Sequence, residues 1–186
     1  FTSIIDGAGN MLFLRAVHCV PLEDARAIGA DEEELAGEYE EYRERARQEL
    51  YPQLPAGAQA ACSRLFATFL EDAENFHFTP VLQHADLWGR HILLDDKPSV
   101  AGIIDYGCIC LGDPDYDFFP TLVDVGAAFT RRVLNHYGHA DPDRAIAKGR
   151  FFAAFDAIDT WLTGAEEQSD WKVADGRRRL HAALTV

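Results

Sequence analysis

Residues 81–105 read Val-Leu-Gln-His-Ala-Asp-Leu-Trp-Gly-Arg-His-Ile-Leu-Leu-Asp-Asp-Lys-Pro-Ser-Val-Ala-Gly-Ile-Ile-Asp, and the fold is decided here. Three apolar runs, at 81–82, 92–94 and 100–104, have the length of short strands. The first two flank a polar loop that carries His84, Asp86 and His91. The last two flank Asp95-Asp96-Lys97-Pro98-Ser99, a composition suited to a hairpin turn. Such a hairpin returns Asp105 to the side of the loop, so Asp86, His91 and Asp105 are expected to meet at one point.

That arrangement suits phosphoryl transfer. The reaction needs a carboxylate to orient an attacking hydroxyl and accept its proton, and ligands for the cation that neutralises the phosphates. Taken singly, a His-x-Asp or a strand-end Asp is an ordinary turn or cap residue; Asp95 and Asp96 read as turn residues. A metal-dependent hydrolase would use the same residue types, with His84 as a ligand to Zn or Mn.

The pattern His84-x-Asp86, then His91, then Ile103-Ile104-Asp105 resembles the catalytic and metal loops of the aminoglycoside phosphotransferase and choline kinase-like family. Gly112-Asp113-Pro114-Asp115-Tyr116-Asp117-Phe118 is similar to that family's Gly-Asp-Pro-x-x-Asp segment. The resemblance runs over roughly residues 10–180. It implies an α+β fold, a protein kinase-like C-terminal lobe that is mostly helical around a small catalytic β-hairpin. By it, Asp86 is the catalytic aspartate, His91 and Asp105 hold metal, and His84 and Asp117 support the catalytic loop. His91 stands where most of the family has Asn, and its imidazole is a softer ligand than magnesium prefers. That variant resembles aminoglycoside 2″-phosphotransferases and macrolide phosphotransferases. The implied cofactors are Mg2+ and ATP or GTP as phosphate donor.

Composition narrows the partners. With 186 residues, 48% of them hydrophobic, the chain can bury a sound core. The formal charge of −14 argues against nucleic acid or an anionic membrane, both of which demand basic surface. It favours a cationic small-molecule substrate beside the nucleotide. No apolar run has the length of a membrane span and no signal peptide is visible. Cys19, Cys62, Cys108 and Cys110 lack metal-finger spacing, and Cys108 and Cys110 read as small buried residues. The expectation is a reduced, cytoplasmic protein.

The resemblance also implies an N-terminal lobe ahead of Phe1, with a phosphate-covering loop and a Lys–Glu pair. Gly7-Ala8-Gly9 is followed by neither. Residues 1–10 are therefore expected to be a linker from that lobe, and 11–186 the C-terminal lobe, inactive as an isolated fragment.

Helical periodicity appears at 11–18, with His18 at the helix end. It returns at 31–50, with Asp31 as cap and Glu32, Glu33 and Glu34 in the first turn. Further helices are expected at 58–75, at 118–128 with Pro120 in the opening turn, at 129–137, at 142–165 with Gly164 near the end, and at 171–184. Leu134-Asn135-His136-Tyr137 and Ser169-Asp170-Trp171 look similar to the 2″-phosphotransferase group. Asp124, Glu166, Glu167, Asp170 and Trp171 are the candidate substrate contacts, offering carboxylates for ammonium groups and a ring for a sugar face. Macrolides, choline, homoserine and sugars remain open as acceptors.

Overall fold

The computed structural model describes residues 8–32, 35–96 and 100–185. The chain forms two compact units. One comprises residues 1–33 and 78–149, the other 34–77 and 150–186.

The first unit begins with α1 (Ala8–His18) and α2 (Leu22–Ala27), the latter unanticipated because it is only six residues long. Two small antiparallel sheets follow. β1 (Val81–Gln83) pairs with β4 (Cys110–Gly112), in the register Leu82 opposite Leu111. β2 (Ile92–Leu94) pairs with β3 (Val100–Ile103), Ile92 opposite Ile103, with an irregularity at Leu93/Leu94. The hairpin is thus present, although the turn residues 97–99 lie outside the described residues. A 3-10 turn at Pro114–Phe118 leads into α5 (Phe119–Val125) and α6 (Ala127–Tyr137).

Leu14, Leu87, Phe118, Phe129, Val133, Leu134, Ala145 and Ile146 form one buried cluster of this unit. Ala25, Ala30, Leu82 and Leu111 form a second, between α2 and the β1–β4 sheet. Helix α6 ends at Gly138, whose φ of 80° is a conformation that glycine adopts without penalty. Arg15 covers that end. Its guanidinium donates to the carbonyls of His136 (3.0 Å) and Tyr137 (2.8 Å), a cation at the negative end of the helix.

Asp31 does not cap a helix. Its carbonyl accepts from the Leu111 amide at 2.9 Å, and Glu32 bridges Leu111 in parallel. The backbone here is used as strand, and α3 (Leu35–Arg45) starts later. Glu33 and Glu34 lie outside the described residues. Cys110 is buried as expected but Cys108 is exposed, because the turn before β4 faces outward.

The second unit contains α3, a π-helical turn at Ala46–Leu50, α4 (Ala56–Glu71), the larger part of α7 (Pro142–Glu166) and α8 (Asp170–Leu184). The segment 58–75 is not one helix: Asp72 interrupts it, accepting from the Glu74 amide to start a 3-10 turn at Ala73–Phe76. Tyr39, Phe66, Phe69, Phe151, Phe152 and Phe155 build an aromatic core. Phe69 stacks on Phe151 at 3.7 Å between ring centroids, and Tyr39 meets Phe155 edge-on at 4.7 Å. Gly164 does not stop α7. It lies inside the helix, and a Cβ there would stand 2.7 Å from the Val173 nitrogen of α8. Gly176 makes the reciprocal approach: its Cβ would lie 2.6 Å from the Trp161 nitrogen. Glycine at both positions lets the two helix backbones pack without intervening side chains.

Candidate active site

The loop between β1 and β2 is built around a backbone that resists its own conformation. Ala85 has φ 60°, in the left-handed region that costs a residue with a Cβ about 1–2 kcal/mol. Asp117 offsets this. One carboxylate oxygen accepts from the Ala85 amide at 2.8 Å and the other from the His84 amide at 3.0 Å. Asp117 is 1% exposed, so these charge-assisted bonds are unscreened by water.

His84 is fully buried and bridges the loop to the end of β3. Its Nε2 lies 3.1 Å from the Ile104 carbonyl, which can only accept, so the ring proton sits on Nε2. Nδ1 is then free to accept from the Asp86 amide at 3.3 Å. Both ring nitrogens are committed to backbone.

His91 closes the loop from its other end. Its Nδ1 lies 2.7 Å from the Asp86 carbonyl, which fixes the proton on Nδ1 and leaves a lone pair on Nε2. The His91 side chain is 9% exposed. The Ile104 amide donates to the His91 carbonyl at 3.0 Å, extending the β2–β3 ladder and bringing Asp105 alongside. Asp105, with φ 69°, turns its carboxylate to within 3.5 Å of His91 Nε2. Asp86, His91 and Asp105 each offer a ligand atom, and the three atoms lie within 4.8 Å of one another. Two carboxylates and an imidazole lone pair fit a divalent cation: the oxygens suit Mg2+, and the nitrogen extends the tolerance toward Mn2+.

A cation already serves this cluster. Arg90 donates from Nε to His91 Nε2 at 3.0 Å, and its Nη2 lies 3.5 Å from Asp86 Oδ1. The guanidinium also sits 5.3 Å from the Trp88 ring centroid.

The support extends well beyond the loop. His18 Nε2 lies 3.0 Å from Asp117 Oδ2, and its Nδ1 lies 2.8 Å from the Tyr137 hydroxyl. Burial raises the Tyr137 phenol. On the other side of the Gly112-Asp113-Pro114 turn, buried Lys148 pairs with Asp113 (2.5 Å) and Asp115 (2.8 Å). Asp115 also meets His139 Nε2 at 2.7 Å. Burial pushes the Asp113 carboxyl up, against the opposing pull of Lys148. Burial would do the same to Asp115, but the His139 hydrogen bond and Lys148 outweigh it and hold that carboxyl below its ordinary value. The same hydrogen bond raises His139. Sequence reasoning passes over Arg90, His139 and Lys148, places His18 only as a helix-end residue, and meets Tyr137 only within a segment similar to the 2″-phosphotransferase group. Only Arg90, inside the loop itself, carried a local signal.

The candidate substrate residues divide. Asp124 lies beside the loop, its Oδ2 accepting from the Gly89 amide at 2.9 Å. Glu166, Glu167, Asp170 and Trp171 belong to the second unit. There Glu166 pairs with Arg45 at 2.6 Å and Glu167 with Lys172 at 2.6 Å. Asp170 opens α8, and Trp171 is 68% exposed.

The loop thus sets one carboxylate beside two potential metal ligands at a hairpin end. The chain belongs to the phosphotransferase enzyme family, whose model matches residues 11–152. It is 30% identical over 164 residues to the viomycin phosphotransferase of Streptomyces vinaceus, covering 81% of this chain and 55% of that protein. Among solved structures, the GDP complex of wild-type aminoglycoside 2'-phosphotransferase-IIIa superposes with a TM-score of 0.89 at 26% identity, over 96% of this chain and 63% of that one. The GDP and kanamycin complex of APH(2")-IIIa gives 0.86 at 27% identity, with the same coverage. A macrolide 2'-phosphotransferase type I shares the fold, with a TM-score of 0.76 at 21% identity, over 95% of this chain and 58% of that one. The mostly helical α+β fold is that of a kinase-like C-terminal lobe, and the chain spans 55–63% of the length of these relatives. Among the described residues no helix is long and apolar enough to cross a membrane.

Proposed function

We propose that residues 11–186 form the catalytic and substrate-binding lobe of a small-molecule kinase that phosphorylates a hydroxyl of an aminoglycoside, with ATP or GTP as donor. The observation that carries this reading is the convergence of Asp86, His91 and Asp105 on a loop held by Asp117. Asp86 orients the acceptor hydroxyl and takes its proton as the oxygen attacks the γ-phosphorus. The bond from that phosphorus to the bridging oxygen breaks, and the nucleoside diphosphate leaves. His91 Nε2 and the Asp105 carboxylate, with Asp86 nearby, would hold Mg2+, which would supply charge neutralisation at the phosphates. His84 and Asp117 keep the loop in register.

The aminoglycoside assignment draws on two supports. A net charge of −14 attracts a polycation, and the relatives include a structure that holds kanamycin. Asp124, Glu166, Glu167, Asp170 and Trp171 are proposed as its contacts.

The test is Asp86→Asn in the full-length protein. Turnover should fall on the order of 10²–10⁴-fold, the usual contribution of a positioned acid or base, with the unfolding midpoint unchanged. A variant that keeps its turnover would remove Asp86 from the chemistry. Calorimetric titration with kanamycin-like and erythromycin-like ligands reads the acceptor class. Binding that weakens with salt is expected for the aminoglycoside; salt-insensitive binding of the macrolide alone would overturn the assignment.

A further inference from the structure

Two cations have a claim on one lone pair. The Nδ1 proton of His91 is spent on the Asp86 carbonyl, 2.7 Å away, so the ring offers a single acceptor, Nε2. Arg90 takes it, with Nε at 3.0 Å, and places Nη2 3.5 Å from Asp86 Oδ1. Those are two of the three groups that can ligate a divalent cation. A nitrogen lone pair cannot serve an N–H donor and a metal together, and a guanidinium beside a divalent cation adds repulsion. The Arg90 side chain is 62% exposed, so it has room to leave. Its chemistry also says where it would go: a planar fork of donors suits phosphate oxygens as well as carboxylate.

We propose that Arg90 is a built-in competitor of the metal, and that it couples metal entry to nucleotide entry. This inference rests on the reading of Asp86, His91 and Asp105 as a metal site. Metal alone must displace the guanidinium from His91 and Asp86 with no anion to receive it. Metal arriving with a nucleoside diphosphate brings the phosphate oxygens that draw Arg90 away. Each ligand therefore strengthens the other by the same factor. Arg90 is a specificity-determining residue for metal loading, acting on the ligands rather than on the reacting atoms.

The test measures binding, not turnover. Mn2+ is titrated into the full-length protein and its Arg90→Gln variant by electron paramagnetic resonance, with and without GDP or ADP. Arg90→Gln should bind Mn2+ alone several-fold more tightly, and the gain that nucleotide gives to Mn2+ affinity should shrink by a similar factor. In the metal-free protein the nitrogen-15 resonance of His91 Nε2 should move in Arg90→Gln, reporting the lost hydrogen bond. Equal or weaker Mn2+ binding by the variant, or an unmoved resonance, overturns the competition while leaving the metal site standing. Asp105→Asn separates the two ideas: if it leaves Mn2+ binding unchanged, the metal reading fails and the competition falls with it.

Discussion

His18 and Asp117, 99 positions apart in sequence, meet with Nε2 3.0 Å from Oδ2 in a setting closed to water. Asp117 holds the two amides that set the candidate catalytic loop, so His18 acts on that loop through it. His18→Leu leaves a buried carboxylate short of one donor and should cost about 1–3 kcal/mol in urea unfolding. Hydrogen exchange at the amides of His84 and Ala85 should accelerate in parallel. Unchanged protection at those two amides would separate His18 from the loop.

Ala85 offers a test of the strain itself. At φ 60°, Ala85→Gly removes the Cβ penalty but adds freedom to the unfolded chain, so the two effects should nearly cancel, within about 1 kcal/mol. Ala85→Val places a β-branched residue in the left-handed region and should lose at least about 1–2 kcal/mol more. Thermal unfolding of both variants decides. A stable valine variant would mean that the loop is not held in this conformation in solution.

The order of elements was legible where the signal was local. Apolar runs gave β1, β2 and β3, and Pro120, Gly138 and Pro142 punctuated α5, α6 and α7. The convergence of Asp86, His91 and Asp105 followed from the loop and hairpin. What escaped had its cause elsewhere in the chain. β4 is three residues long and exists because β1 pairs with it. Asp31 looks like a helix cap until Leu111, eighty positions on, claims its carbonyl. Nothing near His18 announces Asp117, and nothing near Lys148 announces Asp113 and Asp115.

The His139–Asp115 pair should make stability depend on pH. His139 is raised by its bond to Asp115, so its contribution is complete below the ordinary imidazole value of about 6.5 and is lost as pH rises through the raised value. Asp115, held low, contributes above the ordinary carboxylate range and loses that contribution as pH falls through its depressed value. Between these limits the pair is ionised on both sides. Urea unfolding of the native protein and of His139→Gln, from pH 5 to pH 9, should show a decline toward alkaline pH in the first that is flattened in the second. Parallel curves would deny His139 this role.

Gly176 inverts an ordinary expectation. Glycine to alanine inside a helix usually stabilises by about 0.5–1 kcal/mol. Here the new Cβ would stand 2.6 Å from the Trp161 nitrogen and 2.7 Å from the Ala157 carbonyl oxygen, both backbone atoms with no side-chain freedom to yield. Overpacking of this kind costs about 1–3 kcal/mol, so Gly176→Ala should lower the unfolding temperature. A rise would show that α7 and α8 approach less closely than this.

The clamp on Ala85 also sets a schedule for biosynthesis. His84 leaves the ribosome 33 positions before Asp117, a delay of a few seconds at about 5–20 residues per second, and Tyr137, His139 and Lys148 come later still. Until they arrive, nothing anchors the left-handed bend that orders Asp86 and His91. A translation pause within that interval would leave a nascent polypeptide whose site residues are all present yet unassembled, with the apolar strand ends of 81–94 open to chaperones. Slow codons that stall the ribosome after 81–94 has emerged and before Asp117 has would therefore burden the yield of native protein more than slow codons read once Asp117 is free.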